Sequence, residues 1–142
     1  MKISTKGRYA LRVMIDLAEN NNGKYIPLKE IAKRQEISQK YLEGIVAELS
    51  KAGLLDALHG KGGGYKLAKD PQDYTVAEIL IVEEGDLAPI ECLTKDAKQC
   101  LRAEECRTLP MWKGLYKVIE DYLQGISLAS LAKINTADNY II

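Results

Sequence analysis

Ser38-Gln39-Lys40-Tyr41-Leu42-Glu43-Gly44-Ile45-Val46-Ala47-Glu48-Leu49-Ser50-Lys51-Ala52 is the stretch on which the reading of the whole chain turns. Ser38 is a good N-cap, because its hydroxyl can accept from an orphan N–H in the first turn of a helix. Leu42, Ile45, Val46 and Leu49 then recur at three- and four-residue intervals, which gives the helix one buried face. Gln39 and Lys40 fall in the first turn on the other side, where an inserted helix meets base edges and phosphates. Gly53 supplies the C-terminal stop. The interior Gly44 costs about 1 kcal/mol relative to alanine. Either the helix is short at its start, or backbone must approach something closely there.

Working outward, Pro27 opens a short helical pattern over Leu28–Gln35, with Ile31 and Ala32 inward, and Glu36-Ile37 forms a tight connection to Ser38. Downstream, two strand-like runs, Leu54–His59 and Tyr65–Ala68, flank Gly60-Lys61-Gly62-Gly63-Gly64. A glycine-rich loop can instead cradle phosphate, but such loops run from a strand into a helix N-terminus. Here the second run continues as strand to Asp70-Pro71, so the hairpin reading wins. Helix, turn, helix, hairpin is the order of a winged helix-turn-helix, with His59 and Lys61 on the wing against a duplex. The expected fold class is mainly α with a small β-hairpin wing and a long C-terminal dimerisation helix.

At 142 residues the chain can bury a real core, and no run of eighteen apolar residues marks a membrane span. Met1-Lys2-Ile3-Ser4 leads into a charged helical pattern rather than a signal peptide, so a cytoplasmic location without a membrane partner is expected. The formal net charge is zero, yet residues 1–69 hold 13 Lys and Arg against 7 Asp and Glu, while residues 70–142 hold 7 against 13. A basic half that contains a helix-turn-helix pattern points to a phosphate-facing surface. Lys6, Arg8 and Arg12 lie near the start of a first helix, capped by Ser4 or Thr5, that runs to about Asn20. That helix is apolar over so much of its girth that burial between two layers or two subunits is expected. An enzyme is not expected, since there is no Ser-His-Asp set, His-rich metal triad or Walker loop.

Thr75-Val76-Ala77-Glu78 is a capping box that starts a helix running to about Glu83. Leu109 to Gly125 reads as the last long helix, with Trp112, Leu115, Tyr116, Ile119, Tyr122 and Leu123 as a continuous apolar seam for a homodimer centred on Trp112, Leu115, Ile119 and Tyr122. Ser127 caps a final short helix through Lys133. Between Gly85 and Thr108 no secondary-structure period is evident, and connections that long are usually functional or disordered. All three cysteines fall there, Cys92, Cys100 and Cys106, spaced C-x7-C-x5-C. Thiolates gathered on one loop suit zinc, Cu(I) or iron–sulfur centres, and the alternatives are a redox switch or no cofactor. The chain therefore divides into a DNA-binding unit at 1–84, a cysteine loop at 85–108, and a dimerisation helix with tail at 109–142.

Ser4-Thr5-Lys6-Gly7-Arg8-Tyr9-Ala10, Ile37-Ser38 with Tyr41-Leu42-Glu43, and Gly60 with Gly62-Gly63-Gly64-Tyr65 together resemble the IscR/CymR-type winged-helix regulators of bacteria, over essentially the whole chain. The resemblance implies a homodimer with crossed C-terminal helices, palindromic double-stranded operators, and a [2Fe–2S] cluster on Cys92, Cys100 and Cys106 that tunes DNA binding. It places Lys6, Arg8, Ser38, Gln39, Lys40, Tyr41, Glu43, His59 and Lys61 at the DNA. The chain departs from the pattern at His59, where family members commonly carry Arg, and at Gly44, where they carry Gln. The histidine that follows the third cysteine in IscR-like proteins is Leu109 here. Arg8 stands where some relatives place an acidic ligand, so the fourth position stays open among Asp96, Glu104, Glu105, an outside thiol and water. The CymR branch, similar at both ends of the chain, including Tyr140-Ile141-Ile142, implies instead contact with a cysteine-synthesis enzyme and no cluster. A zinc-binding regulator is the further alternative.

Overall fold

The computed structural model describes residues 2–98 and 104–133. Cys100 and the terminal segment from Asn135 lie outside them. Ser4 caps α1 (Thr5–Glu19) by accepting from the Gly7 amide. Pro27 precedes α2 (Leu28–Gln35), and Glu36, in the left-handed region at φ 55°, turns the chain into Ser38. Ser38 Oγ accepts from the Tyr41 amide to start α3 (Gln39–Lys51). The helix closes where the Leu54 amide donates back to the Leu49 carbonyl, with Gly53 at φ 82°.

Strands β1 (Leu55–Leu58) and β2 (Gly64–Leu67) form the antiparallel hairpin, in register from Leu55 opposite Leu67 to Leu58 opposite Gly64. Two glycines are required by its geometry. A Cβ on Gly63 would lie 2.1 Å from the Leu58 carbonyl oxygen, and one on Gly64 would lie 2.2 Å from that of Ile26. That second approach lets Ile26 and Tyr65 exchange backbone hydrogen bonds of 2.8 and 2.9 Å, which ties the hairpin to the segment before α2.

Thr75 and Glu78 complete the expected capping box of α4 (Val76–Glu84). After the cysteine segment come α5 (Leu109–Gln124) and α6 (Leu128–Leu131). The chain after α5 returns to the main body, where Leu128 is fully buried and its amide bonds the Tyr74 carbonyl. The final helix is one turn, shorter than the run to Lys133 expected from Ser127.

The main core joins Val13, Met14 and Leu17 of α1 with Ile31 of α2, Leu42, Ile45 and Leu49 of α3, and Ile79 of α4. A smaller second core, Val76, Ala77, Leu80 and Leu87, is covered by Leu11 of α1 and by Tyr116, Ile119 and Leu123 of α5. Helix α1 therefore lies between two layers of its own chain.

Tyr74 pins the hairpin to this body. Its ring is fully buried, its hydroxyl donates to the Leu54 carbonyl at 2.7 Å, and it accepts from the Ala68 and Lys69 amides at 2.9 and 3.1 Å. One side chain thus joins the entry and exit of the wing. Tyr74→Phe keeps the ring but removes all three bonds of the hydroxyl, and should lower the unfolding free energy by about 1–3 kcal/mol in denaturant titration.

Candidate nucleic-acid interface and cysteine segment

The outward side of α3 carries Gln39, Lys40, Tyr41, Glu43 and Gly44, all exposed. Its inward side is anchored by four side chains with almost no exposure, Leu42, Ile45, Val46 and Leu49. Burial on one side and exposure on the other holds the polar residues outward. His59 and Lys61 are exposed on the wing, where a turn closed by Gly63 N–H to the Gly60 carbonyl at 3.0 Å carries Lys61 at its tip.

The N-terminal end of α1 joins this surface through aromatic contacts that sequence reasoning missed. The rings of Tyr9 and Tyr41 meet edge to face at 5.5 Å, and the Arg12 guanidinium lies over Tyr9 at 5.4 Å. Arg12 also donates through Nε to Gln35 Oε1 at 3.1 Å and through Nη2 to the Gln35 carbonyl. Gln35 in turn donates to the buried Asp16 at 2.9 Å, beside a two-pronged bond from Arg34 at 2.8 and 3.0 Å. Asp16 thereby sets α1 against α2, with its lone pairs satisfied. Its place on the polar fringe of α1 was the available signal.

Lys6 and Arg8, both expected at phosphates, differ in what holds them. Arg8 is exposed and donates to Thr5 Oγ1 at 3.0 Å. Lys6 is engaged within the protein, 2.8 Å from Glu48 Oε1 on α3 and 3.6 Å from Glu83 Oε2 on α4. The Glu83 side chain has no exposure. Burial, and next the facing Glu48 carboxylate with which it can share a proton, push Glu83 up to about 7. The same sharing, followed by Lys6, holds Glu48 below the usual carboxylate range. These groups come from three helices, so the junction of α1, α3 and α4 is polar at one point.

Cys92 is exposed in a short 3-10 turn, Glu91–Leu93, and lines an open pocket with Thr94, Asp96 and Lys98. Cys106 is half-buried, with Sγ 3.5 Å from Thr108 Oγ1. Cys100 lies outside the described residues. Among the described residues no three His, Cys, Asp or Glu side chains are grouped to hold a metal ion. Two thiols on the described segment, a third between them in sequence, and Asp96 on the same pocket as the first are donor types that would suit a soft metal. Of the other candidates for a fourth position, Glu104 and Glu105 are both exposed.

Residues 3–134 match the family Rrf2, described as an iron-dependent transcriptional regulator. The chain belongs to the Rrf2 family. It is 35% identical to the transcriptional regulator IscR of Vibrio campbellii over 135 residues, which is 95% of this chain and 79% of that protein. Among solved structures it is similar to CymR, the global cysteine regulator of B. subtilis, at 35% identity and a TM-score of 0.74, covering 93% of this chain and 96% of that one. IscR of T. potens is similar at 34% identity and a TM-score of 0.69, covering 99% and 96%. The winged helix-turn-helix expected from Ser38–Ala52 and the glycine hairpin is thus the fold of a transcriptional regulator. No described helix is long and apolar enough to cross a membrane.

The Lys6–Glu48–Glu83 junction has a measurable signature. Glu83 titrates from an ordinary value of 4.5 in the unfolded chain to about 7 in the folded one, so the folded state keeps a proton that the unfolded state releases between them. Its contribution to stability is full below the ordinary value and is lost as pH rises through about 7. Replacing Glu83 with Gln should flatten the fall in denaturation midpoint between about pH 5 and about pH 8 and leave the protein more stable than wild type at the upper end. An unchanged slope would remove Glu83 as its source.

Proposed function

We propose that this Rrf2 member binds a pseudo-palindromic operator as a homodimer and that an iron–sulfur cluster on its cysteine segment sets its affinity for DNA. The observation that carries the reading is placement along the chain. The segment with all three cysteines begins where α4 ends and leads into α5, and α4 packs on α3, whose outer face is free for a duplex. In each subunit Gln39, Lys40 and Glu43 face base edges, Ser38 and Tyr41 lie at the helix start, and Arg8, Lys61 and His59 face phosphate or minor groove.

Cys92, Cys100 and Cys106 are the residues that would hold the cluster, most simply [2Fe–2S], with an oxygen donor such as Asp96 at the remaining position. When bound, such a cluster supplies a redox-active, oxidation-sensitive centre. The protein's own contribution is to cross-link a long segment, so that ordering it favours one placement of α4 and α5 over others. Anaerobically purified protein should contain stoichiometric iron and sulfide, and converting all three cysteines to Ala should remove both and change operator affinity. Stoichiometric zinc without sulfide would overturn the cluster in favour of a zinc-binding regulator. A second reading, regulation of cysteine metabolism through a partner enzyme without a cofactor, is supported by similarity to CymR as close as that to IscR. It is the outcome if no metal is found and the cysteine variants bind DNA as wild type does.

The dimer reading rests on α5. Its apolar residues divide between two faces: Tyr116, Ile119 and Leu123 cover the second core, while Met111, Leu115, Val118 and Tyr122 point outward with exposures of 56, 40, 63 and 68%. The outward set is spaced four, three and four residues, the pattern of a coiled-coil seam. Ile119, counted in the seam from sequence, packs on its own chain, and Trp112, one turn before Tyr116 on the same stripe, is half-buried. Leu115→Lys should therefore give a folded monomer in sedimentation with weakened operator binding, whereas Ile119→Glu should unfold the subunit. A Leu115→Lys protein that stays dimeric would move the interface off this helix.

A further inference from the structure

Gly44 has no structural reason for being glycine. Helix α3 is continuous from Gln39 to Lys51, so Gly44 is neither a cap nor a break. Its φ is not positive, and a Cβ built on it would meet nothing within 4 Å. Alanine there would favour the helix by about the usual glycine penalty and clash with none of the described residues. On an exposed helix face a missing side chain permits close approach by something outside the chain.

The surroundings say what. Lys40, one turn before, and Ala47 and Lys51, one and two turns after, lie along the same exposed side of α3. The acidic residue one turn after, Glu48, is drawn away by Lys6. The face around Gly44 is thus low in relief at its centre and basic at both ends, complementary to a polyanion. An α-helix with its side chains is about 10–12 Å across, and a major groove is about 12 Å wide and 8.5 Å deep. A helix of that girth nearly fills the groove, so one absent side chain at mid-helix changes how deeply the backbone seats.

We infer that Gly44 is a specificity-determining residue of the operator complex: its missing side chain lets α3 seat deep in the major groove, so that Lys40 and Glu43 reach base edges and the step under Gly44 is selected by close backbone approach. This rests on the DNA-binding reading above and adds to it which residue sets the depth of insertion.

The test uses full-length wild type, Gly44→Ala and Gly44→Gln in selection from randomised duplexes and in competition gel shifts at one fixed salt concentration. Thermal melts run alongside. Gly44→Ala should melt about 2–4 °C higher, since it gains helix propensity without a clash. It should nonetheless bind the wild-type operator at least about tenfold more weakly, while its non-specific binding is unchanged. Gly44→Gln should select a different base at one position in each half-site. If Gly44→Ala is more stable and binds the wild-type operator with unchanged affinity and preference, the inference is wrong. A lower melting temperature would also overturn it, because the glycine would then serve the fold. If wild type itself selects no symmetric site, the operator reading fails instead, a result separate from either of these.

Discussion

Burial of α1 on two sides is the constraint on which the rest of the molecule depends. Its Val13, Met14 and Leu17 complete the core beneath α2 and α3, while Leu11 covers the second core under α4 and α5. A helix so placed must bring polar groups with it, and the protein resolves that locally. Asp16 is matched by Arg34 and Gln35, and Ser4 donates through both its amide and its hydroxyl to Glu84, at 2.8 and 2.6 Å. Gly7 lies under that contact, where a Cβ would stand 2.3 Å from Glu84 Oε1. The start of α1 and the end of α4 are thereby held together beside the surface that α3 presents.

That arrangement leaves α4 as the element between the recognition surface and the cysteine segment. On one side Glu83 reaches the Lys6–Glu48 pair, which includes a residue of α3. On the other, Gly85 at φ 85° ends the helix and the chain departs toward Cys92. Tyr74, just before α4, holds both ends of the wing. A displacement of α4 would be felt at α3 through a buried carboxylate and at the wing through a buried hydroxyl.

Helix α5 carries apolar residues on two faces, and its own chain covers one of them. It has no residue fully buried within the subunit. On the other face Met111, Leu115, Val118 and Tyr122 stay exposed among the described residues, spaced four, three and four apart. The intrachain face is equally necessary, because Tyr116, Ile119 and Leu123 lie over Val76, Ala77, Leu80 and Leu87.

Local chemistry alone determined the elements of this protein. Ser4, Ser38, Thr75 and Ser127 each cap the helix that follows them, because a short hydroxyl next to a run of unpaired amides has one favourable use. The wing was legible from its glycines, which tolerate backbone approaches that a Cβ forbids, and the core face of α3 from its spacing. Only the tertiary structure decided matters that depend on which elements meet. Lys6 reads as a phosphate ligand until Glu48 and Glu83, more than forty residues away, are brought to it. The seam of α5 reads as continuous because spacing cannot say which of two adjacent stripes its own chain covers. Tyr74 carries no sequence mark at all, since its partners are the backbone groups of Leu54, Ala68 and Lys69, and backbone atoms are common to every residue. Gly44 was ambiguous for the opposite reason: whether a glycine is permitted or required depends on what surrounds it, and the described residues place nothing there.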